Sequence, residues 1–329
     1  MSGDYPLVVI VGPTAAGKSS LAIALAEQLG GEIVNCDSVQ VYRGFDIGTG
    51  KVAIAERRGI PHHLLDVAEP GEVFTAGDYR QAATRVLAEI RRRGRLSIVV
   101  GGTGLYLRAL LEGLFEAPQR SEQLRARLAN MAKRWGRESL HRLLRRLDAT
   151  AAERIHRHDT SKVMRALEVC LLARQPISAL QGHGRAGLRG FRVLKIGLNP
   201  DRTKLAQRIN LRVERMFSSG LVEETRVMLS RPDAEHIKPL GALGYSQAVA
   251  MLRAEISREE AIRSTQAATR QYAKRQMTWF RRETGVEWLA GFGDDAEIQR
   301  RALDWIARAW HSAGGPARSE VDSEASFQA

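Results

Sequence analysis

Residues 5–38 read YPLVVIVGPTAAGKSSLAIALAEQLGGEIVNCDS. Tyr5–Val11 is a short, continuous apolar run, and its lack of alternation predicts a strand buried on both faces. Gly12-Pro13-Thr14-Ala15-Ala16-Gly17-Lys18-Ser19 follows and satisfies the pattern G-x-x-x-x-G-K-[ST]. Lys18–Leu29 then carries leucine and alanine at helical spacing, Gly30-Gly31 stops it, and Glu32–Cys36 predicts a second short strand. Between a strand and a helix this pattern is a phosphate cradle. Amides at the helix N-terminus point at an anion, and the glycines let the backbone wrap closely around it. Lys18 supplies a cation, and the Ser19 hydroxyl is a ligand for Mg²⁺.

Further along, Leu96–Val100 is another apolar run, leading into Gly101-Gly102-Thr103-Gly104 and a helix from Leu105. Phe191–Leu198 (FRVLKIGL) predicts one more core strand. Strands alternating with helices give an α/β fold, a phosphate-loop parallel sheet flanked by helices. Residues 118–182 differ: Leu, Ala and Arg recur at helical spacing with few β-branched residues, which predicts a helical insertion domain. The expected organisation is an α/β core over 1–117, the insertion over 118–182, a return to the core with C-terminal helices over 183–313, and a disordered tail over 314–329. The glycine-rich stretch 181–190 is expected to be a mobile loop.

Composition narrows the function. No stretch approaches the roughly 20 apolar residues of a membrane helix, and no secretory signal is visible. Cys36 and Cys170 are too few for a disulfide framework or a four-cysteine zinc site, which places the chain in the reducing cytoplasm. The net charge is +13. Residues 1–110 hold 12 basic and 11 acidic side chains, whereas residues 111–329 hold 38 and 26, so the excess lies beyond the first sheet segment. A concentrated cationic excess suits a nucleic-acid partner, since phosphate neutralisation releases counterions, although a solvated basic surface reads the same way.

The phosphate loop does not name its ligand. ATP hydrolases add an aspartate at the end of a buried strand to hold Mg²⁺. Here Ser97–Val100 ends in Gly-Gly-Thr-Gly, and Asp66 in Leu64-Leu65-Asp66 is a weak substitute, so a diphosphate ligand gains ground. Asp37 follows the second predicted strand. Ligands bind beyond the carboxyl ends of parallel strands, so Asp37 should stand near the loop on the same edge as Thr103. It is either a proton acceptor or Mg²⁺ holder, or a cap for the following turn. His62-His63 reads as structural, and Arg91-Arg92-Arg93 and Arg145-Arg146 read as solvated helix faces. Arg208 and Arg212 share a helix face and could reach the diphosphate.

Six pieces in order resemble one family: GPTAAGKS (12–19), DSVQVYRGFDIGTGK (37–51), PHHLLD (61–66), VGGTGLYL (100–107), RIHRHD (154–159) and TRQYAKRQMTWF (269–280). Together they are similar to the tRNA dimethylallyltransferases over roughly residues 5–290. The resemblance implies binding of dimethylallyl diphosphate and Mg²⁺ at the phosphate loop, and of the tRNA anticodon stem-loop by the insertion. It implies prenylation of an adenosine immediately 3′ of the anticodon, flipped into a channel. By the same resemblance Asp37 is the general base, Thr103 holds the adenine amine, and Lys18 and Ser19 serve the diphosphate and its Mg²⁺. The implied tRNA contacts are Asp37, Ser38, Val39, Gln40, Thr103, Arg125, Ser161, Lys162, Val163, Met164, Arg165, Gly241, Ala242, Leu243, Gly244, Tyr245, Lys274, Arg275, Gln276, Met277, Thr278, Trp279, Phe280 and Arg281. No membrane partner is expected, and a monomer is. The rival readings are a small-molecule kinase, a prenyltransferase acting on free adenylate, and a non-catalytic RNA-binding module.

Overall fold

The structure, a computed structural model, describes residues 4–115, 117–182 and 186–311. The expected tail and part of the 181–190 loop lie outside the described residues. The chain forms two compact units, residues 1–110 with 188–329, and residues 111–187.

The first unit is built on a six-stranded sheet of order β3-β2-β4-β1-β5-β6. Its strands are β1 Tyr5–Val11, β2 Gly31–Asn35, β3 His62–His63, β4 Leu96–Val100, β5 Phe191–Leu198 and β6 Val286–Leu289. Every neighbouring pair runs parallel. Five residues of β1 and all of β2 and β4 are buried, the signature of a sheet covered on both faces. Helices α1 Lys18–Leu29 and α2 Ala76–Arg92 connect the first strands, and α3 Gly104–Leu111 leaves β4. Leu21, Leu25, Ile33, Ile98, Ile196 and Ile306 belong to one apolar core. Thr75 and Asp78 cap α2 reciprocally, a capping box that fixes its start.

The second unit holds α4 Glu122–Trp135, α5 Arg137–Leu147, α6 Ala149–Arg154, α7 Thr160–Ala173 and α8 Ile177–Gly182. Its own core includes Leu128, Leu140, Leu144, Val163 and Leu167. The observed unit extends beyond 118–182 at both ends, because Leu111–Phe115 and Ala186–Gly187 lie against one another, as at Gly113 and Ala186.

After β5 come α9 Arg202–Ser218, α10 Leu221–Leu229, α11 Tyr245–Leu252 and the long α12 Arg258–Phe280. The expected C-terminal helices are interrupted by β6, which pairs with β5 before α13 Ala296–His311. No described helix is long and apolar enough to cross a membrane.

Candidate active site

Register brings three loops to one edge. Ile10 pairs with Val100, and Asn35 pairs with Val100 from the other side, so the segments after β1, β2 and β4 leave the sheet at one level. The loop 12–17 wraps into α1 through left-handed residues Ala15 (φ 64) and Gly17 (φ 82). A Cβ on Gly17 would also stand 2.8 Å from the Gly293 amide, so glycine is required there twice over. A cavity of about 260 Å³ opens beside the loop, lined among others by Lys18, Ser19, Asp37, Gln40, Arg212 and Gln276. Lys18 Nζ donates to the Pro13 carbonyl at 2.8 Å. Burial, then the nearby Arg212 charge, lowers the Lys18 ammonium to about 8 against the pull of Asp37. Arg212 is itself buried, which lowers its pKa, and it donates to the Thr49 carbonyl. No carboxylate forms an ion pair with either cation among the described residues. Two crowded cations without an ion-pair partner, Lys18 at the N-terminus of α1 and Arg212 on α9, suit an anion.

The two oxygens of Asp37 differ in their partners. Oδ1 accepts from the Val39 amide at 2.9 Å and the Gln40 amide at 3.3 Å, which fixes the turn. Oδ2 has no hydrogen-bond partner among the described residues, and Asp37 lines both this cavity and a second one of about 320 Å³. That second cavity is walled by Ile209, Val213, Met216, Leu243 and Tyr272, and it shares Thr14, Ala15, Asp37, Thr49, Arg212 and Tyr272 with the first. The hydroxyl of Thr103 is engaged on the turn after β2. It accepts from the Ser38 amide at 3.0 Å and donates to Ser38 Oγ at 3.3 Å, and Thr103 lines neither cavity. Thr103 therefore braces the turn that carries Asp37.

Comparisons with known proteins identify the family. A family model described as IPP transferase matches residues 40–283. A tRNA dimethylallyltransferase of Solibacter usitatus is 54% identical over 304 residues, spanning 92% of this chain and 98% of that protein. One from Koribacter versatilis is 55% identical over 303 residues, again 92% and 98%. The chain belongs to the IPP transferase family. Among solved structures, the tRNA isopentenylpyrophosphate transferase of Bacillus halodurans is 36% identical with a TM-score of 0.68, covering 94% of this chain and 97% of that one. A eukaryotic dimethylallyltransferase acting on tRNA is 26% identical with a TM-score of 0.78, covering 96% and 81%.

Within this family member, the residues expected to touch RNA divide by burial. Ser161, Lys162, Gly241, Lys274, Arg275, Thr278 and Arg281 are exposed. Ala242, Leu243 and Arg275 line the second cavity, as do Ser38 and Val39, whereas Gln40 lines the first. Val163, Gly244, Tyr245, Gln276 and Phe280 are buried, and of these Tyr245 lines the second cavity and Gln276 the first. Tyr245 donates to Glu224 at 2.5 Å, and Glu224 in turn accepts from the Asp46, Ile47 and Gly48 amides. Arg125 forms a two-pronged pair with the fully buried Glu168, and Met164 packs against the core of the insertion. Trp279 stacks under Arg108, at 4.4 Å from guanidinium to ring centroid, so it packs inward.

Contacts within the chain engage the remaining candidate residues. Arg208 does not serve the phosphate loop directly: it makes two bonds to Asp294, at 2.7 and 2.9 Å, and lies over Phe292. The segment 291–295 instead supports the loop from behind, with Gly293 N donating to Ala16 O at 2.9 Å. Asp66 pairs with the buried Lys51 ammonium at 2.5 Å. His63 is bonded to Glu32, and His62 Nδ1 to the Ile60 carbonyl. Thr49 and Tyr272 lie within motifs 37–51 and 269–280 but are not singled out there as site residues, and nothing local in the sequence marks the 291–295 segment. They reach the site through packing of α12 and through the turn after β6.

Proposed function

We propose that this protein transfers a dimethylallyl group from dimethylallyl diphosphate to the exocyclic N6 amine of the adenosine immediately 3′ of the anticodon in tRNA, releasing diphosphate. The observation that carries this reading is the meeting of two cavities at one carboxylate. Asp37, Thr49 and Arg212 line both the cavity that holds Lys18 and a more apolar space walled by Ile209, Val213 and Met216. The named activity of relatives that match nearly the whole chain supports the same reaction.

The donor's diphosphate fits the loop amides, Lys18 and Arg212. As the allylic carbon–oxygen bond breaks, its electron pair moves onto the diphosphate, where these fixed donors stabilise it without reorganising. The adenine amine is a weak nucleophile because its lone pair is delocalised into the ring. As the nitrogen–carbon bond forms, the amine loses one proton to Asp37, whose capped oxygen holds the carboxylate in place and whose other oxygen is unpartnered. A base so positioned contributes about 10²–10⁴-fold. Extruding the adenine from its stacked loop costs a few kcal/mol, offset by contacts in the pocket and along the backbone.

The protein offers Mg²⁺ the Ser19 hydroxyl, which lines the first cavity, and no cluster of three or more acidic, His or Cys residues able to hold a metal stands among the described residues. That donor set fits an ion that keeps its waters and takes other ligands from substrate phosphates. When bound, Mg²⁺ would neutralise charge on the departing diphosphate. The buried, unpaired Cys36 and Cys170 suit a reducing cytoplasm.

The test is incubation with unmodified tRNA and labelled dimethylallyl diphosphate, with AMP and ATP reactions in parallel. Label in tRNA with matching diphosphate release is expected. Label in AMP without label in tRNA, or phosphate transfer from ATP, overturns the reading.

A further inference from the structure

The turn that carries Asp37 and the phosphate loop belong to different strands, and the reaction needs them in one fixed relation. A continuous chain of hydrogen bonds joins them through α12. Gln276 Oε1 accepts from the Thr14 amide at 2.8 Å, inside the phosphate loop. Gln276 Nε2 donates to the Gly102 carbonyl at 3.1 Å, in the loop after β4. Thr103, the next residue, binds the Ser38 amide, and Ser38 follows Asp37. Both ends of one planar carboxamide are thus bound to backbone, and Gln276 is 6% exposed. The orientation is unique, since a flipped amide would set oxygen against oxygen and N–H against N–H. The approach is also close: a Cβ on Gly102 would lie 2.1 Å from Gln276 Nε2. The position is held from α12 itself, where Ala273 and Phe280, three before and four after, are buried on the same face.

We propose that Gln276 is a positioning residue, a rigid spacer that sets the distance between the leaving-group loop and the loop holding the base. Gln276 lines the first cavity, but both ends of its carboxamide are committed to backbone. Its effect is to keep the donor's allylic carbon and the amine aligned, where displacement of about 1 Å can cost on the order of 10²-fold in rate. Thr14's amide is engaged by this side chain and is thereby withdrawn from the set available to phosphate oxygens. This inference rests on the transfer reaction proposed above.

The experiment compares the wild-type chain with Gln276→Met, Gln276→Glu, Gly102→Ala and the double variant Gly102→Ala/Gln276→Ser. It measures kcat, KM for each substrate, the Kd of tRNA and of inorganic diphosphate taken separately, and the melting temperature. Gln276→Met is expected to lower kcat by about 10²-fold while both separate Kd values stay within about threefold, because each half-site survives and their relation does not. Gln276→Glu keeps the acceptor for Thr14 and loses the donor to Gly102, so it should fall between wild type and Gln276→Met. It carries the test if Gln276→Met fails to fold. Gly102→Ala should mimic Gln276→Met, and the double variant should be no worse than the poorer single change, since the shorter side chain removes the clash. A kcat for Gln276→Met near wild type, a loss confined to tRNA Kd, or additive losses in the double variant overturns the proposal. Failure of the wild-type chain to label tRNA refutes the proposed reaction itself, and is read separately from the ratios among variants.

Discussion

At the scale of single residues, the two oxygens of Asp37 make a clean experiment available. Asparagine keeps an oxygen that can accept from the Val39 and Gln40 amides, so Asp37→Asn preserves the turn and removes the proton acceptor. Turnover should fall by at least ~10²-fold, with tRNA affinity nearly unchanged in a filter-binding assay. Unaltered turnover would remove Asp37 from that role. Lys18 sets a pH dependence of known sign. Its ammonium in the free protein is lowered to about 8, and the diphosphate binds the charged form. Above that pH the amine must take up a proton on binding. The kcat/KM for the donor should therefore be level below pH 8 on the Lys18 limb and fall by about tenfold per unit above it. Lys18→Arg, which stays charged, should abolish that limb while changing geometry. A limb that persists in that variant belongs to another group.

At the scale of elements, the insertion is organised around an ion cluster that the sequence conceals. Glu168 on α7 is fully buried and accepts from Arg125, Arg165 and the Ser121 amide at the start of α4. Burial pushes its carboxyl up, but the bonds from Arg125, Arg165 and Ser121 outweigh that and hold it below the usual glutamate range. A depressed folded-state value contributes stability that is present above the unfolded pKa and lost as pH falls through the folded one. The insertion should accordingly unfold in acid, and Glu168→Gln should flatten that part of the stability–pH curve followed by circular dichroism. Removing one partner of a buried pair costs about 3–5 kcal/mol, so Arg125→Glu should lower the melting temperature first of all. The same cluster shows where sequence reasoning ends. β1, the phosphate loop and α1 were legible because each depends on neighbours within a few residues. Arg125 reads as a free cation only until Glu168, 43 residues away, is placed beside it. Gln276 reads as part of a basic, RNA-facing helix. Its partners Thr14 and Gly102 lie 262 and 174 residues away, and only the packing of α12 on the sheet edge joins them. The short β6 was missed for the same reason: four residues after a long helix carry no period, and the exposed edge of β5 is what makes them a strand.

At the scale of the whole molecule, the question is which part of the +13 charge meets RNA phosphate. Net charge overstates it, because a cation already bonded to a buried carboxylate cannot turn to a phosphate without leaving that carboxylate unpaired. Arg125 and Arg165 are removed from the count by Glu168. Lys162 is paired only with Asp159 at an exposed site, an exchange of small cost, so it stays. Lys274, Arg275 and Arg281 project from α12 and its C-terminus with exposed side chains. About four phosphate contacts predict a log–log slope of tRNA affinity against salt of roughly −3, or about 10²-fold weaker binding between roughly 50 and 200 mM. Reversing charge at Lys274 and Arg275 together should make the slope shallower by about 1.5 to 2 units at unchanged melting temperature. Arg125→Gln should do the opposite, lowering the melting temperature and leaving the slope of the folded fraction alone. If Arg125→Gln flattens the slope while stability holds, the carboxylate does not retain that arginine in the complex. The basic surface of the insertion would then be assembled by the RNA itself.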